Sequence, residues 1–198
     1  MVSYYDNLKN VYDNSTNDQR IRGIAWYGDS NIIAKNMAGE FDKDIKIIAA
    51  MIAVLSVGVR WERNILDTYN LCIALSTDSQ VTDVGVTTYK RQVNKALSIW
   101  ELNNPEHNEN LIGKGEKTLN FYRAICDPEG EHVVVDRWIA RAAGYEKAHF
   151  PEGKDYREMT EALLLIAKEA KVMFVPAVQA TIWLAIRDTW KEVSNIGF

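Results

Sequence analysis

One segment of the chain, residues 45–57 (IKIIAAMIAVLSV), is apolar around the whole circumference of a helix. It is too long for a typical strand and ends at Gly58, so it predicts a central helix buried on all sides. Elsewhere apolar residues recur at helical spacing, and no segment alternates convincingly between apolar and polar positions. The pattern therefore predicts an all-α fold of roughly nine or ten helices, with further helices at residues 2–12, 60–75, 88–100, 116–125, 156–171 and 177–193.

Polar segments mark the expected breaks between helices. Residues 13–22 are predicted to connect the first helix to the next, for which Asp29 or Ser30 is the expected N-cap. A loop is predicted at residues 80–86. The β-branched residues 132–135 are predicted to form an extended lead-in to a helix rather than a strand of a sheet.

The length of 198 residues fits a single domain, 1–198, which can be built of two lobes. No apolar run is long enough to span a membrane, and the N-terminus lacks the pattern of a signal peptide, so a cytoplasmic protein is expected. The two cysteines, Cys72 and Cys126, predict neither a disulfide scaffold nor a metal or iron–sulfur site. The net charge of −4 argues mildly against nucleic acid, although a local basic patch can lie on an acidic protein.

The segment LIGKGEKT, residues 111–118, is the clearest candidate for binding. Gly113 and Gly115 predict a tight turn between two helices, whose backbone can approach another molecule closely. The amides at the start of the second helix would face an anion such as a phosphate, and Lys114 and Lys117 add positive charge. The simpler alternative is an ordinary turn with solvated lysines. A P-loop is excluded because Gly115, rather than Ser or Thr, follows the Gly-Lys pair.

Asp136 follows three valines and precedes the apolar start of a predicted helix. This is a natural position for an N-cap, and capping is the simpler interpretation. The functional alternative is a carboxylate held at the mouth of a pocket.

Together the two segments resemble the helix-hairpin-helix (HhH-GPD) superfamily of DNA glycosylases. The pattern L-x-G-x-G-x-K-T ends at Thr118, and Asp136 is the second residue of a later V-D-x-x-I-x-R pattern. The resemblance implies a two-lobed helical fold, with the hairpin motif at about residues 106–126 and the catalytic-aspartate region at about residues 132–144. It also implies DNA as the partner and no cofactor or iron–sulfur cluster, although a monovalent cation can bridge the hairpin to the DNA.

The resemblance further implies roles for individual residues. Asp136 would stabilise the positive charge that develops on the sugar. The attacking group would be either water or the neutral amine of Lys117, which forms a Schiff base in bifunctional members. The residues expected to contact the DNA are Gly113, Lys114, Gly115, Thr118, Arg60 and Arg137.

Several aromatic and amide side chains are candidates for lining a pocket for an extruded base. These candidates are Trp26, Tyr27, Trp61, Trp138 and Gln179, the last of which pairs with Trp183 in the same predicted helix. The chain departs from the family pattern at Trp138, where a His or small polar residue is common, and at Gly58, near the usual place of a gap-filling Gln. The acidic charge balance and the altered loop at Gly58 suggest an unusual target, and we predict a modified pyrimidine.

The leading prediction is therefore a DNA glycosylase that excises a modified base, and relatives of this fold have been linked to hypermodified bases in phage DNA. One alternative is a base-hypermodification transferase, in which another nucleophile replaces water. The other is a non-catalytic helical module that binds DNA or protein, in which Asp136 is only a cap. Neither a membrane nor an obligate protein partner is predicted.

Overall fold

The computed structural model describes residues 3–77, 84–147 and 149–196, and for residues 190–196 it describes the backbone alone. All regular structure in these ranges is helical and no strand occurs in them, which confirms the all-α prediction. Besides the short 3-10 helix Pro105–His107, the described ranges contain α1 (Tyr4–Asp13), α2 (Asn17–Glu40), α3 (Ile45–Leu55), α4 (Trp61–Ser76), α5 (Lys90–Leu102), α6 (Asn108–Ile112), α7 (Glu116–Cys126), α8 (Arg137–Ala142), α9 (Gly153–Glu169) and α10 (Val175–Ile196).

The chain divides into two compact units. The first unit comprises Met1–Asp29 and Asp127–Phe198, and the second comprises Ser30–Cys126. The segment 111–118 with Gly113 and Gly115, which we call the glycine hairpin, belongs to the second unit, and Asp136 belongs to the first. The assignment to the glycosylase type of two-lobed fold remains a prediction.

The second unit is organised around α3. Every residue from Ile47 to Leu55 is at most 1 % exposed. Helices α4, α5, α6 and α7 all contact α3, which explains why no face of it is polar. Asp44 caps this helix by accepting a hydrogen bond from the backbone nitrogen of Lys46. The prediction of a buried central helix is confirmed.

The first unit has its own core, formed by α1, α8, α9, α10 and the residues that lead into α8. Its buried residues include Leu8, Val133, Val135, Ile139, Met159, Leu163, Val178 and Ile182. The hydroxyl of Tyr156 donates to the Val133 carbonyl at 3.1 Å and accepts from the Val135 nitrogen at 3.3 Å. These bonds satisfy two backbone groups of the extended lead-in, as expected for buried polar groups outside a helix.

The predicted break before Asp29 or Ser30 is wrong, because α2 runs without interruption through both residues. The helix begins earlier, where Thr16 and Gln19 form a reciprocal capping box. The Gln19 nitrogen donates to the Thr16 hydroxyl at 3.2 Å, and the Thr16 nitrogen donates to the Gln19 side chain at 2.9 Å. Of the loop predicted at residues 80–86, residues 80–83 lie outside the described residues.

Candidate functional site

Asp136 is the N-cap of α8. Its Oδ1 accepts hydrogen bonds from the backbone nitrogens of Trp138 at 2.9 Å and Ile139 at 3.0 Å. The capping prediction is therefore confirmed. Because both bonds go to one carboxylate oxygen, capping alone does not account for the position of the other.

The second oxygen, Oδ2, accepts a hydrogen bond of 3.0 Å from the indole Nε1 of Trp183 in α10. Two backbone amides and one indole thus direct N–H groups at a single carboxylate. Hydrogen bonds to a charged acceptor are stronger than neutral ones, so these three donors stabilise the ionised form and fix its orientation. Asp136 as a whole residue is only partly buried.

Three of the predicted pocket residues lie in the same unit next to this pair. The Trp183 ring packs against Trp26 with ring centroids 5.7 Å apart, and Trp26 packs edge-on against Tyr27 at 4.8 Å. The Tyr27 hydroxyl donates to Gln179 Oε1 at 2.7 Å. We call these five residues, Asp136, Trp183, Trp26, Tyr27 and Gln179, the Asp136 cluster.

Close packing of α2 against α10 brings these residues together. A Cβ atom on Gly23 would collide with the Thr181 hydroxyl and would lie 2.8 Å from the Thr181 backbone nitrogen. Only glycine permits this approach, which aligns Tyr27 with Gln179. Burial raises the pKa of Tyr27 well above its ordinary value, and the charge of Asp136 adds to the effect. Tyr27 therefore remains a hydrogen-bond donor at neutral pH.

Arginine side chains stack on three aromatic rings of the first unit. The pairs are Arg137 on Phe150 at 5.2 Å, Arg141 on Trp138 at 4.9 Å and Arg187 on Trp183 at 4.1 Å from guanidinium to ring centroid. Two of these three pairs lie next to the carboxylate of Asp136. Trp183 donates to it through the indole, and Trp138 donates to it through the backbone amide. The three arginines give this part of an acidic protein a local positive charge.

The glycine hairpin in the second unit has the geometry that its sequence predicts. Gly113 ends α6 with φ 85° and ψ −168°, a backbone conformation that residues other than glycine rarely adopt. Its nitrogen donates to the Glu109 carbonyl at 2.9 Å. Glu109 also accepts two hydrogen bonds of 2.7 Å from Arg123, which link α6 to α7 on either side of the turn.

The backbone and the surroundings of Gly115, unlike those of Gly113, do not require a glycine. Its φ is not positive, and a Cβ atom added there would meet no heavy atom within 4 Å. Its carbonyl accepts from Leu119 at 3.0 Å, which begins α7. Lys114 is exposed at the turn, and Thr118 is half-buried in the first turn of α7. The internal packing of the protein therefore does not explain a glycine at position 115.

Lys117 lies at the start of α7 against the end of α3. Its Nζ donates to the hydroxyl of Ser56 at 2.8 Å and lies 5.1 Å from the ring centroid of Phe121. Ser56 is the C-cap of α3, and its own hydroxyl donates to the Ala53 carbonyl at 2.8 Å. Trp61 packs edge-on against Phe121 at 6.2 Å. These contacts suit a charged ammonium at the negative end of a helix.

The predicted residues thus fall into two groups, one in each unit. Trp61 and the exposed Arg60 lie in the second unit with the hairpin and Lys117, whereas Arg137 and Trp138 lie in the first unit with Asp136.

Sequence reasoning missed Ser56 and Lys95, and it paired Trp183 with Gln179 without connecting either residue with Asp136. Trp183 lies one helical turn after Gln179, a spacing that places both on one face and could have paired them with the aspartate. Ser56 gave no signal before its contact with Lys117 was known. Lys95 donates to the Ile112 carbonyl beside the hairpin, and burial together with the charge of Arg91 lowers its pKa.

Among the described residues, no group of three or more His, Cys, Asp or Glu side chains is arranged to hold a metal ion. No helix in the described part of the chain combines the length and the apolar character that crossing a membrane requires.

Comparison with known proteins places the chain in one family. The model of a family described as a family of unknown function (DUF7178) matches residues 1–190, so the chain belongs to this family. No curated protein and no solved structure matches the chain.

Proposed function

We propose that this DUF7178 protein is a DNA N-glycosylase, which hydrolyses the bond between a modified base and its deoxyribose. The proposal rests on one observation above all, the carboxylate of Asp136 held by three N–H donors beside aromatic side chains. An N-cap needs one oxygen, whereas here both oxygens are fixed. A carboxylate fixed in this way is preorganised to stabilise a cation.

The proposed reaction proceeds through a sugar with oxocarbenium character. The bond from C1′ to the base breaks, and its electron pair leaves with the base. Asp136 stabilises the positive charge on the sugar while water adds to C1′, and the water proton passes to solvent or to the departing base. Water is the proposed attacker because the contacts of Lys117 favour an ammonium, which is not nucleophilic.

The hairpin is the proposed contact with the DNA backbone. Amides at the start of α7 point out of the helix, and exposed Lys114 adds a charge close to them. Thr118, Arg60 and Arg137 are proposed as further phosphate contacts. Extrusion of the base costs a few kcal/mol, and aromatic side chains such as Trp26 would offset part of this cost by stacking.

A base-release assay tests the proposal. The protein is incubated with duplexes that each carry one modified pyrimidine or oxidised purine, and abasic sites are detected by strand breakage in hot alkali. We expect release from at least one modified pyrimidine duplex and none from the matched duplex with the ordinary base. Binding of the duplexes without release of any base would contradict the proposed glycosylase activity. A new base on an intact strand would instead identify a transferase.

The two hairpin glycines are expected to respond differently to the same change. Gly113→Val forces a β-branched residue into a strained conformation and should lower the free energy of unfolding by about 1–3 kcal/mol. Gly115→Val meets open space, so its stability should stay near that of the wild type. Its side chain would nevertheless hold the backbone away from a phosphate, and affinity should fall by a similar factor for all DNA sequences.

Thermal unfolding and DNA titration at one fixed salt concentration measure both effects. An unchanged affinity of the folded Gly115→Val protein would argue against the hairpin as the DNA contact.

A further inference from the structure

We infer that Trp183 is a positioning residue for Asp136, holding its carboxylate in the orientation that the reaction requires. The inference rests on the proposed function and adds to it a residue from a distant part of the chain. Its basis is the hydrogen bond of 3.0 Å from the Trp183 indole to Asp136 Oδ2.

The two carboxylate oxygens have different surroundings. Oδ1 is bound by two backbone amides, which would persist for any N-cap side chain that accepts hydrogen bonds. Oδ2 is bound by a side chain, and its donor can be removed without disturbing the cap. Rotation of the carboxylate about its own axis is therefore restrained by the backbone on one side and by Trp183 on the other.

Trp183 is itself held in place. Its ring packs against Trp26 on one side, and the guanidinium of Arg187 lies 4.1 Å from its centroid. Helix α10 cannot shift easily, because Thr181, two residues before Trp183, is in close contact with Gly23 of α2. An indole restrained by these contacts gives its N–H a fixed direction, as a preorganised donor must have.

The consequence for the reaction concerns rate rather than binding. A carboxylate already oriented need not turn when positive charge develops on the sugar, so its stabilisation is fully available in the transition state. Loss of the indole N–H removes a hydrogen bond of 3.0 Å to Oδ2 and so weakens the restraint on the orientation of the carboxylate. Binding of the DNA depends on other contacts and should not change.

Trp183→Phe is the direct test, because phenylalanine keeps a ring and lacks the N–H. We expect single-turnover base release to fall about tenfold or more, while the dissociation constant of the DNA stays within twofold. Trp100→Phe is the matched control, since Trp100 packs against Phe41 and Lys43 in the other unit. Its release rate should equal that of the wild type.

A spectroscopic measurement tests the same bond without activity. The protein contains six tryptophans, whose indole N–H groups give separate signals in a nitrogen-15 correlation spectrum. The signal that disappears in Trp183→Phe should be the one that moves most in Asp136→Asn. This comparison also holds if Trp183→Phe folds poorly, because Trp183→Tyr can then assign the signal.

The outcomes separate the inference from the function on which it rests. Base release by Trp183→Phe at the wild-type rate would overturn the positioning role. A Trp183 indole signal whose chemical shift does not change in Asp136→Asn would overturn it as well. If the wild-type protein releases no base while the indole signal responds to Asp136→Asn, the proposed glycosylase function is wrong. Trp183 still orients the Asp136 carboxylate in that case.

Discussion

Asp136→Asn is expected to lower single-turnover base release by at least about a hundredfold, with little change in DNA affinity. Asparagine caps a helix about as well as aspartate, so the start of α8 should survive. The negative charge is lost, however, and removal of one electrostatic stabiliser of a transition state typically costs 10²–10³ in rate, or about 3–4 kcal/mol. Rapid-quench measurement of base release on an accepted duplex gives the rate.

The contact with Trp183 makes the stability effect of this variant specific. If the asparagine oxygen keeps the two backbone amides, its NH₂ group faces the indole N–H of Trp183, donor against donor. This conflict should cost about 1–2 kcal/mol of stability.

The double variant Asp136→Asn with Trp183→Phe removes the conflict and the charge together. It should recover stability relative to Asp136→Asn alone, whereas base release should stay low. Equal release rates for wild type and Asp136→Asn would exclude the catalytic role and leave Asp136 as a cap.

Features that depend on neighbouring residues could be predicted from the sequence. The burial of α3 follows from an uninterrupted apolar run, and the cap at Asp136 follows from its place before an apolar helix. The hairpin could also be located, because the φ of 85° at Gly113 is a conformation that favours glycine.

Features that depend on packing between distant segments could not be predicted. Nothing local shows that Trp183 reaches Asp136, since the contact arises only when α10 packs beside α8. Gly23 likewise looks like an ordinary helix glycine until α10 lies against it. The error in α2 has a local origin, because the capping box of Thr16 and Gln19 outweighs the polar character of the residues around it.

Lys117→Gln is expected to weaken DNA binding about tenfold at low salt and to reduce the salt dependence of binding by about one released counterion. The reason is the loss of one positive charge beside the hairpin. Borohydride should trap no covalent adduct with the wild-type protein, because the Lys117 ammonium donates to Ser56 and lies on the ring of Phe121. Titrations at several salt concentrations and a trapping gel provide the two measurements.

Ser56→Ala is the matched control for Lys117. It removes the hydroxyl that accepts from Nζ and retains the charge, so its salt dependence should equal that of the wild type. The two variants therefore separate the charge of Lys117 from its hydrogen bond. An adduct trapped with the wild type and lost in Lys117→Gln would make the amine the nucleophile, which attacks C1′, and strand cleavage by β-elimination would then follow base release.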